Sequence, residues 1–184
     1  MKTKIPKQDN YILILMVGVR GLVDYALNIL FVSTRNSSRS IMAEALLNKL
    51  GRKAFQAFSA GRKPHGNVNA FTLEILKQTG YDTSNLRSKS WDDFATIQAP
   101  RLDAVIVIDG DGNKERYPIW FSDPVIVRWN FADVDSIQGT DQERQYAYRR
   151  LFGEMEQQIL KLTGLDISKA RGADLENRLK RIAP

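Results

Sequence analysis

The chain contains no cysteine. That absence excludes a disulfide framework and a cysteine-based zinc site, and with them any thiol nucleophile or thiol electron carrier within the chain. Histidine is nearly missing too: His65, in the loop Arg62-Lys63-Pro64-His65-Gly66, is the only one. A histidine metal cluster is therefore excluded, and no metal site or cofactor is expected. His65 reads as an exposed loop residue, since nothing in the sequence orients it toward a nucleophile. Long apolar runs are also lacking. Tyr11 to Val19 is nine residues, against roughly 20 needed to span a bilayer, so no membrane span is expected. Lys2, Lys4 and Lys7 ahead of this run imitate a secretory signal, but no small-x-small cleavage pattern follows before Asn28. Tyr11 to Leu27 reads instead as an added surface element, as part of a self-association interface that would make a homodimer, or as residues of an upstream start with no role. Negative charge is in deficit, with 27 Lys+Arg against 21 Asp+Glu and a net charge of +6. This favours an anionic partner. No nucleic-acid-binding motif accompanies the charge, so nucleic acid is not the expected partner.

What is present suits one domain of 184 residues with an ordinary 43% hydrophobic share. Ile29 to Val32 is a short apolar run that reads as a buried strand. Ser33 to Ser38 is polar and turn-prone. Arg39 to Leu50 has helical spacing, with Ile41, Ala45, Leu46 and Leu50 able to share a face. Ala54 to Ala60 predicts a second strand ending at a turn on Gly61. Asn69 to Gly80 predicts a helix, and Trp91 to Ile97 a short one. Leu102 to Ile108 is the clearest central strand. Asp109 to Asn113 lacks calcium-loop spacing and reads as a turn. Pro124 to Arg128 predicts a strand and Thr140 to Leu162 a long helix. Asp166 to Pro184 has charged helical character, with Arg171, Arg178, Lys180 and Arg181 on a solvated face. Strands alternating with helices argue for an α/β fold with a parallel sheet covered on both faces. Ligands in such folds sit beyond the carboxyl ends of the strands.

The stretch Asn28 to Glu44 fits that rule. A strand, a tight polar loop and a helix start gather backbone N–H groups, and the helix dipole adds partial positive charge. Arg39, in the first helical turn, can grip two oxygens of a tetrahedral oxyanion. Ser38 or Ser40 would cap or line the loop.

The spacing Ser33-x5-Arg39-Ser40 resembles the phosphate loop of low-molecular-weight protein tyrosine phosphatases and their arsenate-reductase relatives, whose motif is Cys-x5-Arg-Ser/Thr. Asn36 and Met42 to Leu47 continue the likeness. So do Phe58-Ser59-Ala60-Gly61, Val68-Asn69, Leu86 to Phe94, Pro118-Ile119-Trp120 and Trp129 to Asp133. The resemblance covers about Asn28 to Leu162, in family order. It implies a three-layer α/β/α fold with a four-stranded parallel sheet, of the phosphotyrosine phosphatase I-like type. It divides the chain into an N-terminal extension (1–27), a phosphatase-like domain (28–163) and a C-terminal helical tail (164–184). Family membership further implies a cytoplasmic protein whose partner is phosphate, arsenate or a phosphorylated small molecule or protein.

The resemblance assigns roles residue by residue. Ser33 holds the nucleophile position, where the family has cysteine. Thr34, Arg35, Asn36, Ser37, Ser38, Arg39 and Ser40 form the oxyanion cradle, with Arg39 as the clamp. Asn36 would hold the loop shape and Ser40 would hydrogen-bond the nucleophile. Asp133 matches the family's acid, ahead of Asp123 and Asp135, although Val134 stands where proline often follows. Ser38 and Ile108 occupy positions where arsenate-reductase relatives often carry further cysteines. Arsenate reduction by the thiol route is thereby excluded for this chain alone. Three readings follow. The first, preferred here, is a catalytically weak or inactive oxyanion binder, a pseudoenzyme. The second is a phosphatase with Ser33 as a natural or engineered replacement nucleophile. The third is a non-catalytic interaction protein. A single engineered change would leave cysteines elsewhere, so their complete absence favours natural divergence.

Overall fold

A computed structural model of the chain describes residues 26–108, 116–167 and 169–184. The expected extension before residue 26 and the Asp109–Asn113 turn lie outside the described residues.

Four parallel strands form one sheet. They are β1 (Leu27–Ser33), β2 (Phe55–Gly61), β3 (Ala104–Val107) and β4 (Val125–Arg128), in the order β2-β1-β3-β4. The register pairs Val32 with Ala60 on one side of β1 and with Val107 on the other. The chain thus winds outward from β1 first in one direction and then in the other. This puts the switch in strand order at the carboxyl end of β1, where such sheets bind ligands.

The helices are α1 (Arg39–Leu50), α2 (Ala70–Gln78), α3 (Asp141–Thr163) and α4 (Gly172–Arg181). Side-chain alternation along the strands feeds two apolar clusters. Ile29, Phe31, Ala57, Ile106 and Val127 pack with the buried residues of all four helices. Leu30, Val32, Ala60, Val105 and Val107 pack with Trp91, Phe94 and Trp120.

Several boundaries move by a residue or two for local reasons. Strand β1 is longer at both ends than its apolar run, because its parallel pairing with β2 continues through Leu27 and Ser33. The expected helix after Trp91 is one 3₁₀ turn, Trp91–Phe94, started by Ser90 Oγ accepting from Asp92 N. Asn69 caps α2 by accepting from Phe71 N. Thr140 and Glu143 form a reciprocal capping box at the start of α3, the device expected of Thr-x-x-Glu. Residues after Gly164 extend the core: Leu175 and Leu179 of α4 are buried in the helix-side cluster, and α4 packs against β4. Its arginines do face outward, and Arg178 pairs with Asp174 one turn away. The charged surface of this helix hid an apolar stripe only two leucines wide.

Candidate oxyanion-binding site

The loop from Ser33 to Ser38 leaves the buried end of β1 and turns directly into α1. Asn36 takes the left-handed backbone conformation at φ 46°, which asparagine tolerates better than most residues. Its side chain holds the turn from within. Asn36 Nδ2 donates to Ser40 Oγ and to Ser59 Oγ, both at 2.9 Å, and its Oδ1 accepts from Lys89 N at 2.7 Å. The first helical bond, Met42 N to Ser38 O, leaves the earlier N–H groups of the turn without an acceptor inside the helix. The loop also rests on Gly61, where a Cβ would approach Asn36 Cβ to 2.9 Å. Gly61 ends β2 and permits this close approach, beyond the turn role its sequence context suggested.

Ser33 is buried, with its Oγ 2.8 Å from Ser40 Oγ and 3.2 Å from Asn36 N, which donates to it. Ser40 Oγ accepts from Asn36 Nδ2 and, with one O–H and a second lone pair, can either donate to Ser33 Oγ or accept from it. Asn36 N is a fixed donor to this position, as an electron-rich atom requires, and neither Asn36 N nor the Ser40 hydroxyl is a base strong enough to ionise a serine.

Behind the loop lies a buried ion pair between residues 45 positions apart in the chain. Glu44 of α1 accepts from Ser59 Oγ and pairs with Lys89 Nζ at 3.1 Å. Both side chains are only 12% exposed. Burial of a carboxylate is tolerated because it is paired and hydrogen-bonded. The Ser59 and Lys89 motifs were both visible in the sequence, but nothing there showed that they meet over Glu44.

Arg39 is buried and directed to the open end of the site. Its Nη1 donates to Ile108 O at 3.2 Å and Phe131 O at 3.5 Å, and its Nη2 meets Asp133 Oδ1 at 2.9 Å. The clamp and the expected acid are therefore adjacent. Asp135, the rival carboxylate, does other work. It accepts from Ser37 and Ser38 at 2.6 Å each, and from the Tyr148 hydroxyl. Burial alone would raise its pKa, but these hydroxyls and the nearby Arg35 charge outweigh burial and hold it below the ordinary carboxylate value. Burial and the Asp135 contact push the Tyr148 phenol well up, so it remains a donor. Asp135 is thus a loop anchor and a poor proton donor. Of the two roles open to Ser38 or Ser40, capping or lining the loop, Ser38 makes no side-chain cap of α1 and binds Asp135 instead.

Thr34 and Arg35 lie at the mouth, half-buried and exposed respectively. His65 is exposed; its backbone N donates to Arg35 O at 2.9 Å, which places it on the rim and not beside Ser33. Asp123, with φ 48°, lies two residues before the first residue of β4, in keeping with a strand-entry role. Among the described residues, no group of three or more acidic or histidine side chains could hold a metal ion. Among them too, no helix is long and apolar enough to cross a membrane.

The chain is thus a parallel α/β protein with a strand–loop–helix turn and Arg39 at the switch point of its sheet. Comparison with known proteins narrows the class. Residues 28–123 match the family described as low molecular weight phosphotyrosine protein phosphatase, and the chain belongs to that family. It is 32% identical over 131 residues to an arsenate reductase of Halalkalibacterium halodurans, covering 71% of this chain and 91% of that one. It is 31% identical over 129 residues to an arsenate reductase of Bacillus subtilis, covering 69% and 88%. Among solved structures, an arsenate reductase from Archaeoglobus fulgidus superposes with a TM-score of 0.57 at 26% identity, over 74% of this chain and 99% of that one. A low molecular weight protein tyrosine phosphatase from T. tengcongensis shares the fold, with a TM-score of 0.59 at 24% identity over 74% and 97%.

Proposed function

We propose that the chain binds phosphate-type oxyanions in the loop Ser33–Ser40 and is catalytically weak or inactive. One observation carries this reading: the partners of Ser33 Oγ, at the nucleophile position, are Asn36 N and the Ser40 hydroxyl, with no carboxylate or imidazole among them. A cysteine in such surroundings ionises readily, because donors and the helix N-terminus favour a thiolate. A serine hydroxyl begins far higher in pKa and needs a base to remove its proton. Asp133 pairs with Arg39, Asp135 is committed to Ser37, Ser38 and Tyr148, and Glu44 faces Ser59 and Lys89. None of these carboxylates hydrogen-bonds Ser33 Oγ, whose partners are Ser40 Oγ and Asn36 N. The helix start offers N–H groups for an anion, and the Arg39 guanidinium could turn to it only by giving up bonds it now makes to Asp133 and to the Ile108 and Phe131 carbonyls.

The test is calorimetry with inorganic phosphate and arsenate at low salt, on the full chain and on Arg39→Ala, with phosphatase turnover assayed on the same preparations. Binding abolished by Arg39→Ala, without turnover, is the expected result. Turnover lost in both Ser33→Ala and Asp133→Asn would instead establish a serine-based phosphatase. No binding of either anion would leave an interaction protein.

A further inference from the structure

Two loops at the amino-terminal end of the sheet carry apolar side chains that the core leaves uncovered. One runs from Phe94 to Arg101 ahead of β3, and the other from Ile119 to Ser122 ahead of β4. Leu102 N donates to Ser122 Oγ at 3.1 Å and ties the two together. Ile97 is 80% exposed and Phe121 74%, and both bound a cavity of about 410 Å³ whose wall also holds Phe94 and Pro100. That volume is far above the roughly 30 Å³ share of one water, so the space admits side chains. Phe94 belongs to the second apolar cluster, so the cavity continues that cluster to the surface. Ile119, two residues before Phe121, is exposed as well. Single exposed apolar residues are ordinary, whereas a cavity edged by several marks a surface that something covers.

The described chain enters the sheet beside this cavity. Arg101 bounds it, and Asn28, the second residue of β1, donates through Nδ2 to Arg101 O at 2.7 Å. Asn28 N donates to Asp103 Oδ2 at 3.0 Å. The 25 residues before Ala26 include Tyr11–Val19, an uncharged run rich in Ile, Leu and Val. Between this run and β1 stand Arg20–Ala26, seven residues that can span up to about 25 Å. That reach exceeds the single contact separating the start of β1 from Arg101. Arg101 is the one charged side chain bounding the cavity, and it is exposed, so an uncharged occupant buries no unpaired charge there. The cavity bounded by Arg35 and Asp135 lies instead beyond the carboxyl end of β1 and presents charged groups.

We propose that Tyr11–Val19 folds back over the amino-terminal end of the sheet and seats aliphatic side chains in the cavity edged by Ile97 and Phe121. The occupant is thus a segment of the same chain, and its docking withdraws both apolar surfaces from water. The inference is independent of the oxyanion reading, because the two sites lie at opposite ends of β1.

The absence of cysteine makes every introduced thiol unique. In the full chain, Ala99→Cys at the cavity wall is paired in turn with Leu13→Cys, Leu15→Cys and Val17→Cys, and disulfide closure in air is timed. Each control replaces Ala99→Cys by Lys63→Cys, on the exposed loop after β2 at the other end of the sheet. At least one pair with Ala99→Cys should close about tenfold or more faster than its control, and it should migrate as a monomer. Hydrogen exchange of the unaltered chain should show the amides of residues 11–19 slowed about tenfold or more, and Ile97→Ser/Phe121→Ser should remove most of that slowing. Both side chains altered in that double variant are exposed, and retained protection of β1 and β3 verifies its fold; should it unfold, the closure rates decide. Equal closure at both positions, or unprotected amides in residues 11–19, overturns the inference. So does protection that the double variant leaves intact, since the segment would then rest elsewhere. Cross-linking into dimers would assign the cavity to a second copy and overturn it too.

Discussion

Replacing Ser33 with cysteine tests whether the cradle is built around an anion at that atom. The side chain is buried, accepts from Asn36 N and adjoins the Ser40 hydroxyl, which can turn its O–H toward an anion there. Hydrogen bonds to a charged group contribute about 1.5–3 kcal/mol each, and the helix N-terminus adds about 0.3–1 kcal/mol. Burial opposes ionisation, since it removes the thiolate from water. Allowing for that loss, a net preference of about 2–3 kcal/mol for the thiolate remains, or about 30- to 150-fold in the thiolate:thiol ratio. An ordinary cysteine is only a few per cent ionised at pH 7; in Ser33→Cys about half or more should be. The assay is the pH dependence of iodoacetamide alkylation, compared with a cysteine placed at exposed Lys53. Bound phosphate should protect the Ser33→Cys thiol, and hydrolysis of p-nitrophenyl phosphate should appear. An alkylation profile identical to that of the exposed control would refute the argument that this loop stabilises negative charge.

Lys89→Met should leave the Glu44 carboxylate buried with one hydroxyl partner, destabilising the fold by about 3 kcal/mol. The double variant Lys89→Met/Glu44→Gln should recover most of that loss, as read by urea unfolding. The depressed pKa of Asp135 adds stability that is fully present above its unfolded value and is lost as pH falls through the folded one. Asp135→Asn should therefore be less stable than the unaltered chain at pH 7, with the difference shrinking below about pH 4; a gap that persists at pH 2 would show that packing, not charge, is responsible. Thr140→Ala removes one half of the capping box and should cost about 1 kcal/mol, measured by the same unfolding titration.

The sequence by itself determined the pieces whose chemistry is local. Apolar β-branched runs marked the strands at Ile29 and Ala104, and spacing marked α1 and α2. The helical stretch from Thr140 marked α3, and the Ser33-x5-Arg39-Ser40 loop marked the candidate site. These signals survive translation into structure because each depends on residues within one or two turns of chain. The tertiary structure alone decided which distant groups share a bond. Asp133 faces Arg39 across 94 positions and Asp135 binds Ser37 across 98, so two carboxylates a single residue apart take different partners. The Glu44–Lys89 pair and the approach of Gly61 to Asn36 likewise exist only once β2 lies beside β1. Leu175 and Leu179 resemble a weak stripe on a charged helix until α4 closes the core over β4. Local patterns record how a segment prefers to fold; the partner of a buried charge is set by whichever loops the sheet brings together, and the desolvation cost makes that partner obligatory.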